Sequence, residues 1–149
     1  MDFPVIQPKT AKEFYQETGR HNKIAVEGYN EEVNKAALEN KKVVMLVNPE
    51  RYFEKDFMDQ RGAGLNDVLC RLAAKNNIAI ALDIDYLLGL RDEEKVNKLG
   101  KIMQNIRLCN KYHVKTVIFD RVGRNKKDLK GFGACLGMKP GAEILKIRS

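Results

Sequence analysis

Tryptophan is absent from this sequence, histidine occurs twice and cysteine three times. His21 and His113 stand isolated and far apart. A histidine-rich metal site cannot be assembled from them. Cys70, Cys109 and Cys135 are odd in number and lack metal-ligand spacing, which argues against a disulfide framework and a cysteine-bound metal. Each lies in a helical pattern and reads as a buried free thiol in a reducing compartment. Long apolar runs are missing as well. Val43–Val47 is strand-sized and far too short to cross a bilayer. The chain opens Met1-Asp2-Phe3-Pro4, without a basic and apolar leader. The expectation is a cytoplasmic protein with no membrane partner.

What is present describes a globular α/β protein. The 149 residues are 44% hydrophobic and 32% charged, enough for one domain with a real core. The net charge of +7 is unevenly placed. Residues 101–149 hold 12 basic and 3 acidic side chains, whereas residues 1–60 hold 9 and 11. A concentrated basic surface attracts phosphate backbones through counterion release. Excess lysine also simply keeps a domain in solution, and charge alone does not choose between the two.

The stretch from Arg61 to Asp83 shows the building unit. Gly62 and Gly64 mark a turn, and Asn66 is placed to cap a helix. Leu65, Val68, Leu69, Leu72 and Ala73 form its apolar stripe, and Asn76-Asn77 stops it. Ile78 to Leu82 is apolar without alternation, the pattern of a strand covered on both faces. Before this unit, residues 1–9 read as an irregular lead. Thr10 to Thr18 reads as a helix, Ile24 to Glu27 as a strand, Asn30 to Glu39 as a helix and Val43 to Val47 as a strand. Tyr52 to Gln60 is ambiguous. After it, Asp83 to Arg91 reads as a loop, and Asp92 is expected to cap a long helix to about Tyr112. The buried stripe of that helix is expected to be Val96, Leu99, Met103, Ile106 and Cys109, with Lys95, Lys98, Lys101, Asn105 and Arg107 largely outside it. Thr116 to Asp120 is a further strand, and Asn125 caps a helix to Leu136, ended by Gly137. Ala142 to Ile147 fits strand or helix. Roughly four βα units result. An eight-unit barrel usually needs about 250 residues, so the pattern predicts an open parallel sheet or a reduced, incomplete barrel.

Several spaced motifs then occur in one order. They are Arg61, Gly64, Asn66, Val68, Leu69, Leu72 and Ala73; Ala79 and Ile80; Asn105, Arg107, Leu108, Lys111 and Tyr112; and Asp128-Leu129. In these motifs the chain resembles ribonuclease P protein component 3, the thirty-kilodalton archaeal and eukaryotic subunit family, from about Lys41 to Met138. The resemblance implies a TIM-barrel-like fold in shortened form, lacking the first one or two βα units and stopping early after Gly137. It also implies a role in maturing the 5′ end of precursor tRNA. In that family the RNA subunit performs the cleavage, so no catalytic residue and no metal ligand is expected on the protein. Mg²⁺ is expected for the RNA of the complex and no cofactor on the chain itself. The implied partners are the catalytic RNA, precursor tRNA and a smaller protein subunit, in a dimer of heterodimers.

The candidate RNA contacts are Arg61, Arg121, Arg124, Lys126, Lys127 and Lys130. Arg61 precedes a helix N-terminus, where free N–H groups can hold a phosphate. It equally suits an ion pair, and Gly62 and Gly64 equally suit a backbone turn. The other five lie after a strand, where loops carry function in barrels and open sheets. The 11 aromatics do not alternate with basic residues as in a base-stacking platform, so shape and backbone should dominate any RNA contact. The enzyme alternative is a small metal-dependent phosphoesterase built on Asp83, Asp85 and Asp120, with Glu27 nearby in the pattern. The family is similar to phosphoesterase barrels, but their His-x-His clusters are missing here. A third alternative is a protein-binding scaffold, with Tyr52 to Met58 as a candidate apolar seam.

Overall fold

The computed structural model describes residues 3–53 and 62–146. Its six strands are joined by one helix each, except β4 and β5, which are joined by two. The elements are β1 (Val5–Ile6), α1 (Ala11–Thr18), β2 (Ile24–Glu27), α2 (Glu31–Leu38), β3 (Val43–Val47), α3 (Asp67–Lys75), β4 (Ala79–Asp83), α4 (Ile84–Leu88), α5 (Asp92–Tyr112), β5 (Thr116–Asp120), α6 (Lys126–Leu136) and β6 (Glu143–Lys146). All strands pair in parallel in the order β1-β2-β3-β4-β5-β6. Spatial order thus follows chain order. Right-handed crossovers then place every helix on the same side of the sheet. This is the winding of a TIM barrel, here with two open edges, because among the described residues β1 and β6 do not pair with each other.

The two faces of the sheet are chemically distinct. Ile24, Val26, Leu46, Ile80 and Ile118 point to the helix side and pack with Phe14, Leu38, Leu69 and Ile106. Ala25, Met45, Val47, Ala79, Ala81, Val117 and Phe119 form a separate cluster on the inner face, supported by Phe3, Val5 and Leu145. Among the described residues no helical side chain joins that inner cluster. Burial on both faces explains why β2, β4 and β5 read as continuous apolar runs.

Helix starts follow local side-chain chemistry. Thr10, Asn30, Asn66 and Asn125 each accept a hydrogen bond from a first-turn backbone N–H. The long helix differs from expectation: Arg91 is its cap residue and makes no side-chain capping bond, while Asp92 lies inside the first turn. There, with Glu93 and Glu94, it still favours the helix dipole. The lead is not wholly irregular, since Val5–Ile6 adds an edge strand beside β2. The last segment resolves as a strand, and the Tyr86 region as the short α4. Cys70 and Cys109 are buried as free thiols, but Cys135 is exposed. It falls on the outer side of α6, whose buried positions are Leu129, Gly133 and Leu136.

Ile106 and Cys109 of the expected α5 stripe are buried and Leu99 packs partly against the core, but Val96 and Met103 are displaced by polar neighbours. Lys98, Lys101, Ile102, Asn105, Ile106 and Cys109 are buried, whereas Val96 is 72% and Met103 39% exposed. Val68 on α3 is likewise exposed rather than part of its stripe. Lysine can occupy a helix core when its stem packs and its ammonium reaches acceptors, and α5 faces a row of backbone carbonyls.

Candidate nucleic-acid interface

Parallel strands bring their C-terminal ends to one rim, where βα loops can gather side chains from distant parts of the chain. This rim carries Glu27 from the end of β2, Asn48 to Arg51 after β3, Asp83 and Asp85 at the β4–α4 junction, and Asp120 to Arg124 after β5. Glu27, Asp83 and Asp120 are buried. Each meets an arginine. Arg51 Nη1 donates to Glu27 Oε1 at 2.7 Å. Arg121 donates from Nε and Nη2 to Asp83 Oδ2 at 3.1 and 2.9 Å. Arg124 bridges two carboxylates, with Nη2 at 2.7 Å from Asp85 Oδ1 and Nη1 at 3.0 Å from Asp120 Oδ1. Backbone N–H groups fill further acceptor positions: Arg121 to Asp85, Asp85 to Asp83, and Val122 and Arg124 to Asp120.

The protonation of these groups follows from their contacts. The hydrogen bond from Arg124 holds the Asp85 carboxyl below its ordinary range. Burial pushes Glu27 up, against the pull of Arg51. Hydrogen bonds to Asp83 and Asp85 raise Arg121 and Arg124 further. The carboxylates of the phosphoesterase alternative thus direct their oxygens at guanidinium and amide donors. Among the described residues no group of three or more His, Cys, Asp or Glu is arranged to hold a metal ion.

Beneath the rim lies a buried polar layer that motif reading misses. Asn48, at a positive φ of 46°, accepts from the Asp83 amide at 2.9 Å and donates to Glu50 Oε1 at 2.8 Å. Lys98 Nζ donates to the carbonyls of Glu50 and Phe53, both at 3.0 Å. Lys101 Nζ reaches the Gly62 carbonyl at 2.9 Å, and Asn105 Nδ2 the Ala63 carbonyl at 2.7 Å. Asn34 Nδ2 reaches the carbonyls of Pro49 and Gly64. One face of α5 therefore fixes the backbone on both sides of residues 54–61. Gly64 completes the packing: its φ is +89°, and a Cβ there would meet the Pro49 carbonyl oxygen at 2.1 Å. A glycine is required at this position for backbone reasons. The signal for the layer was the i, i+3, i+7 spacing of Lys98, Lys101 and Asn105, which a search for apolar residues alone passes over.

The expected RNA contacts separate into three groups. Arg61 lies outside the described residues, as does most of the Tyr52 to Met58 seam. Arg121 and Arg124 belong to the ion-paired rim. Lys126, Lys127 and Lys130 are exposed at the start of α6, and none has a carboxylate partner among the described residues. Beside Lys126 opens a groove of about 760 Å³, lined in part by all four residues of β6. Its floor includes Phe3, Met45 and Leu145, and its margins Lys23, Arg124, Lys126, Glu143 and Lys146. Lys23 and Lys146 were not among the expected contacts, because only the fold brings them to the same groove as Lys126.

Comparison with known proteins agrees with the motif resemblance. Ribonuclease P protein component 3 of Methanococcoides burtonii is 31% identical over 129 residues, which cover 83% of this chain and 50% of the relative. The component 3 protein of Methanosarcina barkeri is 40% identical over 95 residues, 64% of this chain and 36% of the relative. A chain in a cryo-EM structure of archaeal ribonuclease P with mature tRNA superimposes with a TM-score of 0.72 at 26% identity, covering 90% of this chain and 59% of that one. No family model matches the chain. The chain spans half or less of the length of these curated relatives. Over that span it resembles ribonuclease P protein component 3 in sequence and a chain of archaeal ribonuclease P in fold. Among the described residues no helix is long and apolar enough to cross a membrane.

Proposed function

We propose that this chain is a protein subunit of ribonuclease P that supports RNA-catalysed removal of the 5′ leader from precursor tRNA. The observation that carries the proposal is the agreement of sequence and fold: the singly wound parallel sheet superimposes on a ribonuclease P chain along 90% of this chain. The electrostatics support the same reading. The basic excess lies in the last third, and Lys126, Lys127 and Lys130 stand exposed there. In this reading these lysines contact the RNA backbone. Arg121 and Arg124, oriented by Asp83, Asp85 and Asp120, offer guanidinium edges to the same phosphates, and Arg61 adds to them. The chain supplies binding and support, Mg²⁺ serves the RNA, and a smaller protein subunit completes the protein part, in a dimer of heterodimers in the cytoplasm.

The test is native purification from the source, followed by sequencing of RNA that remains bound. The expected result is one abundant structured RNA, in a fraction that cleaves precursor tRNA. Recovery of no RNA at low salt would overturn the proposal.

A further inference from the structure

We infer that Cys70 and Cys109 are a redox pair: hydrogen peroxide joins them in a disulfide that ties α3 to α5 through the core. The pair does not depend on the ribonuclease P reading, since contacts between these two segments alone place it.

Three contacts fix how the segments lie against each other. Lys101 Nζ reaches the Gly62 carbonyl at 2.9 Å, and Asn105 Nδ2 the Ala63 carbonyl at 2.7 Å. Arg71 lies over the Tyr112 ring, 5.4 Å from its centroid. The two segments therefore run side by side in the same direction, with Gly62 beside Lys101, Ala63 beside Asn105 and Arg71 beside Tyr112. Cys70 and Cys109 fall between the last two of these pairs. Both are fully buried in one apolar cluster, which Leu69, Ala73 and Val114 share. The two sulfurs are in hydrogen-bond contact. That contact pulls the Cys70 thiol below its ordinary range, against burial and the charge of Asp67. The same contact, with burial, pushes Cys109 up. Cys70 is thus the better nucleophile of the two, and Cys109 keeps its proton.

The chemistry needs one two-electron oxidant. Peroxide is small and uncharged, and it reaches a buried sulfur during local openings of the helices. The Cys70 sulfur attacks one peroxide oxygen, the O–O bond breaks, and the leaving hydroxide takes up the Cys70 proton as water. Cys70 is then a sulfenic acid. The Cys109 sulfur attacks the Cys70 sulfur, the S–S bond forms, and the S–O bond breaks. The second oxygen leaves as water with the Cys109 proton. Two thiols are oxidised and one peroxide is reduced to two waters. Cys135 is no substitute partner, because it is exposed on the outer side of α6. The new bond closes a segment that holds β4 and α4, which removes entropy from the unfolded chain. Small apolar size alone also suits a cysteine to a core, but it gives no reason for the two sulfurs to react with each other.

The test treats the folded full chain with hydrogen peroxide, alkylates it in denaturant and maps its tryptic peptides. Cys135→Ser silences the exposed thiol beforehand. The expected product links residues 62–71 to residues 108–111, and dithiothreitol restores both thiols to alkylation. Urea unfolding of the linked chain is then compared before and after dithiothreitol. The linked form is expected to unfold at a midpoint higher by about 1 M urea or more. Cys109→Ala/Cys135→Ser, treated alike, is expected to carry oxygen on Cys70 and to gain no stability. Two thiols still open to alkylation after peroxide would show inert core residues and overturn the proposal. Oxygen on Cys70 without a link, in the chain that keeps Cys109, would show that Cys109 does not reach it and would also overturn it. A linked chain with a lower midpoint would mean that the bond forms only by distorting α3 against α5, and the tie would be lost. None of these outcomes bears on the ribonuclease P reading.

Discussion

Glu50 places a carboxyl group where almost no water reaches it. Burial pushes its pKa above the ordinary 4.5, with Asn48, Lys98 and Arg51 pulling the other way. The folded chain therefore holds this proton more tightly than the unfolded chain. Stability from Glu50 is fully present below about pH 4.5 and is lost as pH rises through the raised native value. Asp85 works in the opposite sense: its carboxyl is held below 3.8, so its contribution is present above that pH and lost on acidification. Glu50→Gln keeps an oxygen for Asn48 but cannot ionise. Urea midpoints measured from pH 4 to 8 should fall less steeply for Glu50→Gln than for the unaltered chain. The same slope in both would place the titration elsewhere. Gly64 is constrained by geometry rather than charge. Its φ of +89° and the 2.1 Å approach to the Pro49 oxygen leave no room for a methyl group. Gly64→Ala should cost on the order of 3 kcal/mol by denaturant unfolding, from strain and overpacking together. A loss below about 0.5 kcal/mol would mean that the turn relaxes freely.

At the scale of elements, α5 shows what a sequence does and does not reveal. Its length and ends were legible, because acidic residues open it and Lys111 closes it. Its facing was legible only in part. Counting apolar residues places Ile106 and Cys109 inside, where they are, and Leu99 packs partly, but the count also selects Val96 and Met103, where packing selects Lys98, Lys101 and Asn105. The two stripes differ by a small rotation, and the choice depends on carbonyls that only the folded chain places opposite the helix. The strands β2, β3 and β5 were readable to the residue, as covered apolar runs bounded by turns. Two-residue β1 was not, since so short a piece has no period to detect. The rim is the other case. Asp83, Asp85 and Asp120 were visible as a group, and so were Arg121 and Arg124, but their mutual pairing needed the parallel register of β4 and β5. Substitutions distinguish the two phasings of α5. Met103→Lys should change stability by less than about 0.5 kcal/mol. Ile102→Ala, buried but outside the apolar stripe read from the sequence, should cost about 2–5 kcal/mol. Lys101→Met, which keeps volume but leaves the Gly62 carbonyl without this donor, should cost about 1–3 kcal/mol. Thermal unfolding reads all three, and a large effect at Met103 would restore the apolar phasing.

For the whole molecule, consecutive parallel order gives a sheet with central and marginal strands, and among the described residues β1 and β6 are the marginal ones. β4 and β5 have a strand on each side and are buried along their whole length. β6 has one neighbour, its end residues Glu143 and Lys146 are exposed, and β1 is two residues long. Opening free energy should therefore decline from the centre of the sheet toward β6. The same gradient separates a rigid centre that positions the rim from a weakly held β6 margin. Native-state hydrogen exchange checks this directly. The amides of Ile80, Leu82, Ile118 and Phe119 should exchange slowest, and those of Ile144 and Leu145 at least about 100-fold faster. Uniform protection across the sheet would mean that the β1 and β6 edges are paired in solution.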